Sequence, residues 1–252
     1  MSTAVVIPAR LASARLPDKP LLELGGVPLV VRTAWQAQKA KLGRVIIATD
    51  AEAVAEAAGN YGLDVVHTGV EHTSGTERVA EVARRLGLTA VVNVQADEPF
   101  VHPNDVAALG RTIETGQVDL ATLRRPIHDA TAFANPNIVK VVCDDAGNAL
   151  YFSRAPIPFD RDGSWGLESV FCHVGLYAYG QHALAALAAA APHPLEQREK
   201  LEQLRALAMG LKIRVLDAQY SGLGIDTPDD LERGRNFVAQ LGEAAFPDLV
   251  GA

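Results

Sequence analysis

A chain of 252 residues suits one large α/β domain, or one domain carrying a substantial insertion. Hydrophobic residues make up 48% and charged residues 21%, enough to bury a core without disulfides or a structural metal. The formal net charge of −7 excludes wholesale binding to nucleic acid or an anionic membrane, so any bound anion needs a local cluster of basic groups.

Short apolar runs bounded by turn residues predict strands at 4–7, 45–49, 64–67 and 90–94. Helical spacing fills the intervals 29–40, 52–61 and 76–86, with Pro28 placed where the first helix begins. This alternation predicts a mostly parallel sheet covered by helices on both faces, with ligands at the carboxyl ends of its strands. Further along, 139–143, 149–153 and 170–179 read as strands without full helices between them, which implies an antiparallel, β-rich insertion over roughly 125–180. Helices are expected at 182–191, 196–208 and 229–241, and a last strand at 212–216. With no repeat, low-complexity tract or linker, residues 1–252 are expected to form a single domain.

Met1-Ser2-Thr3 leads straight into an apolar run that ends at Pro8, without a signal-peptide pattern. The apolar stretch 183–191 is far shorter than the roughly 20 residues of a membrane span. Cys143 and Cys172 read as buried small hydrophobes in strand-like runs. A soluble cytoplasmic protein is the expectation.

The loop after the first strand runs Pro8-Ala9-Arg10-Leu11-Ala12-Ser13-Ala14-Arg15-Leu16-Pro17-Asp18-Lys19-Pro20. Arg10, Arg15 and Lys19 recur every four or five residues beside small side chains, a pattern that suits successive phosphates of an anionic ligand. Neither a Walker A pattern nor Gly-x-Gly-x-x-Gly is present, so a dinucleotide oxidoreductase is disfavoured. By spacing alone the loop could equally be a solvated surface segment. Read by themselves, Asp226 is a helix N-cap, Asp97 a turn residue, Ser74 a helix cap and His173 a core histidine.

The sequence resembles the 3-deoxy-manno-octulosonate (KDO) cytidylyltransferases. The resemblance rests on Ile7-Pro8-Ala9-Arg10, Arg15-Leu16-Pro17, Lys19-Pro20, Ala48-Thr49-Asp50, Ser74-Gly75-Thr76-Glu77-Arg78 and Asn93-Val94-Gln95-Ala96-Asp97-Glu98-Pro99. It continues through Asn135-Pro136-Asn137-Ile138-Val139-Lys140-Val141-Val142, Leu150-Tyr151-Phe152-Ser153-Arg154, His173-Val174-Gly175-Leu176-Tyr177, Leu201-Glu202-Gln203-Leu204-Arg205 and Gly224-Ile225-Asp226-Thr227-Pro228. It implies a Rossmann-like nucleotide-diphospho-sugar transferase fold and transfer of CMP from CTP to the anomeric hydroxyl of KDO, with release of pyrophosphate. The resemblance also implies that the product serves lipopolysaccharide biosynthesis.

It further implies Mg²⁺ held by Asp97 and Asp226, and a homodimer in which strand 170–179 is a candidate interface. Arg15 and Lys19 join those carboxylates as catalytic groups. Pro8, Ala9, Arg10, Arg15, Lys19, Ser74, Gly75 and Arg78 are expected to bind the nucleotide. Gln95, Arg154, His173, Tyr177, Glu202 and Gln203 are expected to bind the sugar, with Arg154 pairing its carboxylate. Two departures stand out: Ala96 replaces the glycine usual before Asp97, and segment 160–170 is short. Rival readings are a cytidylyltransferase for 8-amino-KDO or a sialic acid, and a nucleotide sensor without catalysis.

Overall fold

The computed structural model describes residues 2–11, 16–163, 166–219 and 222–248, with the side chain of Glu168 left aside. The first strand, β1 (Thr3–Ala9), shows how the sequence builds the layers. Alternation points Val5, Ile7 and Ala9 to one face and Ala4 and Val6 to the other. Both faces are buried, as expected of an inner parallel strand.

On the Val5 side lie α1 (Leu29–Gln38), entered from the two-residue strands β2 (Glu23–Leu24) and β3 (Val27–Pro28), and α4 (Pro103–Glu114). On the Val6 side lie α3 (Gly75–Leu86) and α6 (Gln181–Ala189), packing Val79, Val82, Leu184 and Leu187 against the sheet. Burial of each such aliphatic side chain contributes about 1.5–3 kcal/mol.

The other parallel strands are β4 (Arg44–Thr49), β5 (Asp64–His67) and β6 (Ala90–Asn93), with α2 (Glu52–Gly59) between β4 and β5. β7 (Leu120–Pro126), β8 (Lys140–Cys143), β9 (Ala149–Ser153), β10 (Phe171–Gly180) and β11 (Ile213–Asp217) complete the sheet, with the short α5 (Ala130–Ala134) between β7 and β8. Among the described residues it has nine strands in the order β11-β7-β10-β6-β1-β4-β5, with the β8–β9 hairpin attached to one end of β10. β10 runs antiparallel to β6, β7 and β8, so the expected antiparallel excursion is present within a mostly parallel sheet. The chain moves from β1 to β4 and β5 on one side, then returns to β6 on the other, which opens a crevice beyond the carboxyl ends of β1 and β6.

Several expectations shift. Residues 103–126, given no element by pattern, form α4 and β7. The helix expected at 196–208 is two, α7 (Pro194–Glu199) and α8 (Gln203–Ala208), because Lys200 adopts a left-handed φ of 55° and Leu201 turns inward. Strand 170–179, the candidate interface strand, is β10, hydrogen-bonded to β7 and β8 at its start and to β7 and β6 at its end. Asp226 is not a helix N-cap. Thr227 caps α9 (Pro228–Leu241), in a box with Asp230. No helix among the described residues is long and apolar enough to cross a membrane.

Candidate active site

Where β1 ends, its Pro8-Ala9-Arg10 turn meets the N-terminus of α3. Ser74 caps that helix, accepting from Glu77 N at 3.2 Å, while Glu77 reaches back to Ser74 N. Gly75 lets the two meet closely, since a Cβ would lie 3.2 Å from Pro8 Cγ, tight enough that the proline would have to shift by a few tenths of an ångström. The result is a cavity of about 120 Å³ lined by Pro8, Ala9 and Arg10 from the first turn and Ser74, Gly75 and Arg78 from α3.

Six residues expected at the nucleotide thus share one cavity, opposite the positive end of a twelve-residue helix that favours an anion. Arg78 is buried and held by Asp50 Oδ2 at 3.1 Å and by the Thr68 hydroxyl, so it shapes the wall as a fixed charge. Gln95, expected with the sugar, lines this cavity too, and its amide donates to Asn93 Oδ1 at 3.0 Å. His72, which no sequence pattern marked, completes the lining and contacts Glu81 Oε2 at 2.6 Å. Arg15 lies outside the described residues.

Beyond β6 the chain turns through Ala96 and Asp97. The Lys19 ammonium hydrogen-bonds Asp97 Oδ2 and, at 2.9 Å, Asp226 Oδ1, so both carboxylates converge on one cation. A backbone bond from Ile225 N to Asp97 O (2.9 Å) fastens the two carboxylate-bearing turns together. Burial alone would lower the Lys19 pKa, but Asp97 and Asp226 outweigh it and hold Lys19 charged. Ala96 has an ordinary negative φ, since the positive-φ residues other than glycine are Asp18, Lys41 and Lys200 among the described residues. Its carbonyl accepts from the Thr33 hydroxyl at 3.0 Å. A methyl group is therefore compatible with the turn that presents Asp97.

Glu98 sits behind the pair. Burial, then the charges of Asp97 and Asp226, push its pKa up to about 7 against the opposing pull of Lys19. Gly224 admits it, since a Cβ there would lie 3.2 Å from Glu98 Oε1.

No cluster of three or more His, Cys, Asp or Glu suited to a metal occurs among the described residues. Asp97 and Asp226 nevertheless converge on a cation with hard carboxylate oxygens, a donor set that fits Mg²⁺ when phosphate and water oxygens complete the shell.

The residues expected at the sugar divide into two groups. On β10, His173 Nε2 lies 2.9 Å from Thr122 Oγ1, with its ring edge-on to Phe152 at 5.1 Å and 5.3 Å from Tyr177. Burial drives the His173 pKa down to about 3, so the imidazole is neutral, and pushes the Tyr177 phenol well up. From α8, Glu202 takes hydrogen bonds from the Thr76 hydroxyl and from Arg205 Nη2 (2.9 Å), which joins the start of α3 to this second group. Burial raises the Glu202 pKa. Gln203 is buried, and its Nε2 has no partner among the described residues. Arg154, at the end of β9, gives Nε to Glu199 O at 2.7 Å and Nη1 to Pro136 O at 2.9 Å.

The cytidylyltransferase family model matches residues 4–213. A 3-deoxy-manno-octulosonate cytidylyltransferase from Mesorhizobium japonicum is 44% identical over 247 residues, covering 95% of this chain and all of that protein. Its counterpart from Rhodopseudomonas palustris is 44% identical over 94% of this chain and 98% of its own length. The solved structure of a CMP:2-keto-3-deoxy-manno-octonic acid synthetase complexed with CTP superposes with a TM-score of 0.90. It is 37% identical and covers 95% of this chain and 99% of the other.

Proposed function

Since the chain belongs to the 3-deoxy-manno-octulosonate cytidylyltransferase family, we propose that it transfers CMP from CTP to the anomeric hydroxyl of KDO and releases pyrophosphate. The observation that carries this reading is the convergence of Asp97 and Asp226 on the Lys19 ammonium, beside the cavity between β1 and α3. Attack on an α-phosphate asks the protein for positioning and charge neutralisation rather than a covalent nucleophile.

The residues divide that work. Pro8, Ala9, Ser74 and Gly75 offer backbone and small side chains to the nucleoside, with Arg78 fixed behind them. Arg10, Arg15 and Lys19 hold the phosphates. Arg154 pairs the sugar carboxylate through the part of its guanidinium that Glu199 and Pro136 leave free, and neutral His173, Tyr177, Gln95, Glu202 and Gln203 serve the hydroxyls. Asp97 and Asp226 would hold Mg²⁺, with Lys19, now bonded to both carboxylates, as the cation beside them. When bound, the ion supplies Lewis-acid polarisation of the phosphate and activation of the incoming hydroxyl. The enzyme works in the cytoplasm as a homodimer, and its product supplies lipopolysaccharide synthesis.

The test is pyrophosphate release with CTP, Mg²⁺ and KDO, against other nucleoside triphosphates, 8-amino-KDO and a sialic acid. Release with another sugar and none with KDO would remove the substrate assignment. Asp97→Asn is expected to cut turnover by roughly 10³-fold, the several kcal/mol a Lewis acid provides, while leaving the thermal midpoint within a few degrees. Undiminished turnover removes Asp97 from the metal site.

A further inference from the structure

Lys140 is a buried charge that none of the roles above uses. It opens β8 and is fully buried. A buried ammonium is costly unless its donors are met, and no carboxylate pairs with it among the described residues. Instead its three N–H groups go to backbone carbonyls: Asn135 O at 2.9 Å, Ile138 O at 2.6 Å and Arg154 O at 2.7 Å.

Two of these carbonyls lie in the turn before β8, and the third belongs to the residue just past β9. Strand pairing matches Lys140 with Ser153 but stops short of Arg154. The ammonium therefore supplies a tie that the sheet ladder lacks. Arg154 closes the same ring by donating Nη1 to Pro136 O. Glu199 holds the far side, its carboxylate accepting from Ser153 Oγ at 2.7 Å and Arg154 N at 2.8 Å and its carbonyl from Arg154 Nε at 2.7 Å. With Nε and one Nη1 hydrogen engaged, Nη2 has no partner among the described residues. It forms, with the second Nη1 hydrogen, a fork of the kind a carboxylate accepts bidentately.

We propose that Lys140 is a positioning residue for the acid-sugar subsite: from inside the fold it fixes the backbone of Arg154 and the 135–138 turn, and so aims the open fork of the guanidinium at the sugar carboxylate. The inference rests on the functional reading, in which Arg154 meets an acid sugar. The cavity assigned to the nucleotide is lined from the turn after β1 and from α3 and shares no lining residue with this ring, so loss of Lys140 is expected to act on one substrate and spare the other.

Two variants test it. Lys140→Met removes charge and donors at similar length, and Lys140→Gln keeps an amide able to reach one or two carbonyls. Wild type is assayed first, and the acid sugar it turns over is the one varied, so that a wrong sugar shows before any variant is judged. No turnover with any acid sugar sinks the functional reading and this proposal together. The expected result is a KM for the sugar raised at least tenfold in Lys140→Met and less in Lys140→Gln, with KM for CTP within twofold. On an Arg154→Ala background, Lys140→Met should add less than twofold. Four results overturn the proposal: an unchanged sugar KM, a parallel rise in both KM values, full additivity with Arg154→Ala, or failure of both Lys140 variants to fold while Arg154→Ala folds.

Discussion

His173 offers a sharp test of the electrostatics of β10. Its ring is half-buried, edge-on to Phe152 and tilted on Tyr177, with Thr122 Oγ1 as the polar partner of Nε2. Burial lowers its pKa from 6.5 to about 3. In the unfolded chain the same imidazole takes a proton as pH falls through about 6.5. Between those two values the unfolded state binds more protons than the folded state, so stability falls as pH falls, by up to about 1.4 kcal/mol per unit. Above about 6.5 both states are neutral and the contribution is flat.

His173→Gln removes the titration but also the ring contacts, a truncation expected to destabilise by about 1–3 kcal/mol at pH 8. The variant starts lower and then loses less on acidification, so the two curves converge between pH 6.5 and 4. Urea midpoints measured at half-unit steps from pH 8 to 4 read this directly. Parallel curves would refute the reasoning, because they would mean that His173 is protonated as readily folded as unfolded.

Two further predictions concern the turns that carry the carboxylates. Thr227→Ala deletes the cap that accepts from Asp230 N at 3.2 Å and donates to Asp230 Oδ2 at 2.8 Å. About 1 kcal/mol should be lost, roughly 2–4 °C in the thermal midpoint for a chain of this size, and, on the proposal that Asp226 holds Mg²⁺, half-maximal turnover should need more Mg²⁺ because Asp226 adjoins the cap. A midpoint unchanged within 1 °C would remove the cap from the stability account. Ala96→Gly should lower stability by about 0.4–1 kcal/mol through the unfolded chain and leave kcat within twofold, because the backbone there has a negative φ. A severalfold gain in kcat would show that the methyl group does strain the turn.

The strands around the crevice were legible because inner parallel strands are short, apolar and bounded by turns. Residues 64–67 and 149–153 were placed to the residue, and β1, β4 and β6 within a few. Residues 103–114 escaped because α4 begins at Pro103 behind a histidine cap, His102 accepting from Asn104 N, a start that the usual Ser, Thr, Asp or Asn signal does not flag. The break between α7 and α8 escaped because helical periodicity is blind to one left-handed residue, Lys200.

At the site, residue types were legible and pairings were not. Glu202 reads as a solvated helix face until Thr76, more than a hundred positions earlier, is seen donating to it. Lys140 sits in an apolar run as a single charge, and only the fold shows the three carbonyls that accommodate it. Glu98 follows Asp97 without distinction until its burial is known.

The two partners of Lys19 lie 78 and 207 residues along the chain from it. The stretch that matches the family model, 4–213, holds the nucleotide cavity and Asp97 but ends before Asp226. The second carboxylate reaches Lys19 only because the last part of the chain packs back on the first, with Ile225, Leu231 and Val238 meeting Leu24, Leu29 and Phe100 in one apolar cluster. The charge pair is thus a report on the docking of the C-terminal helix, and whatever loosens that helix loosens the site with it.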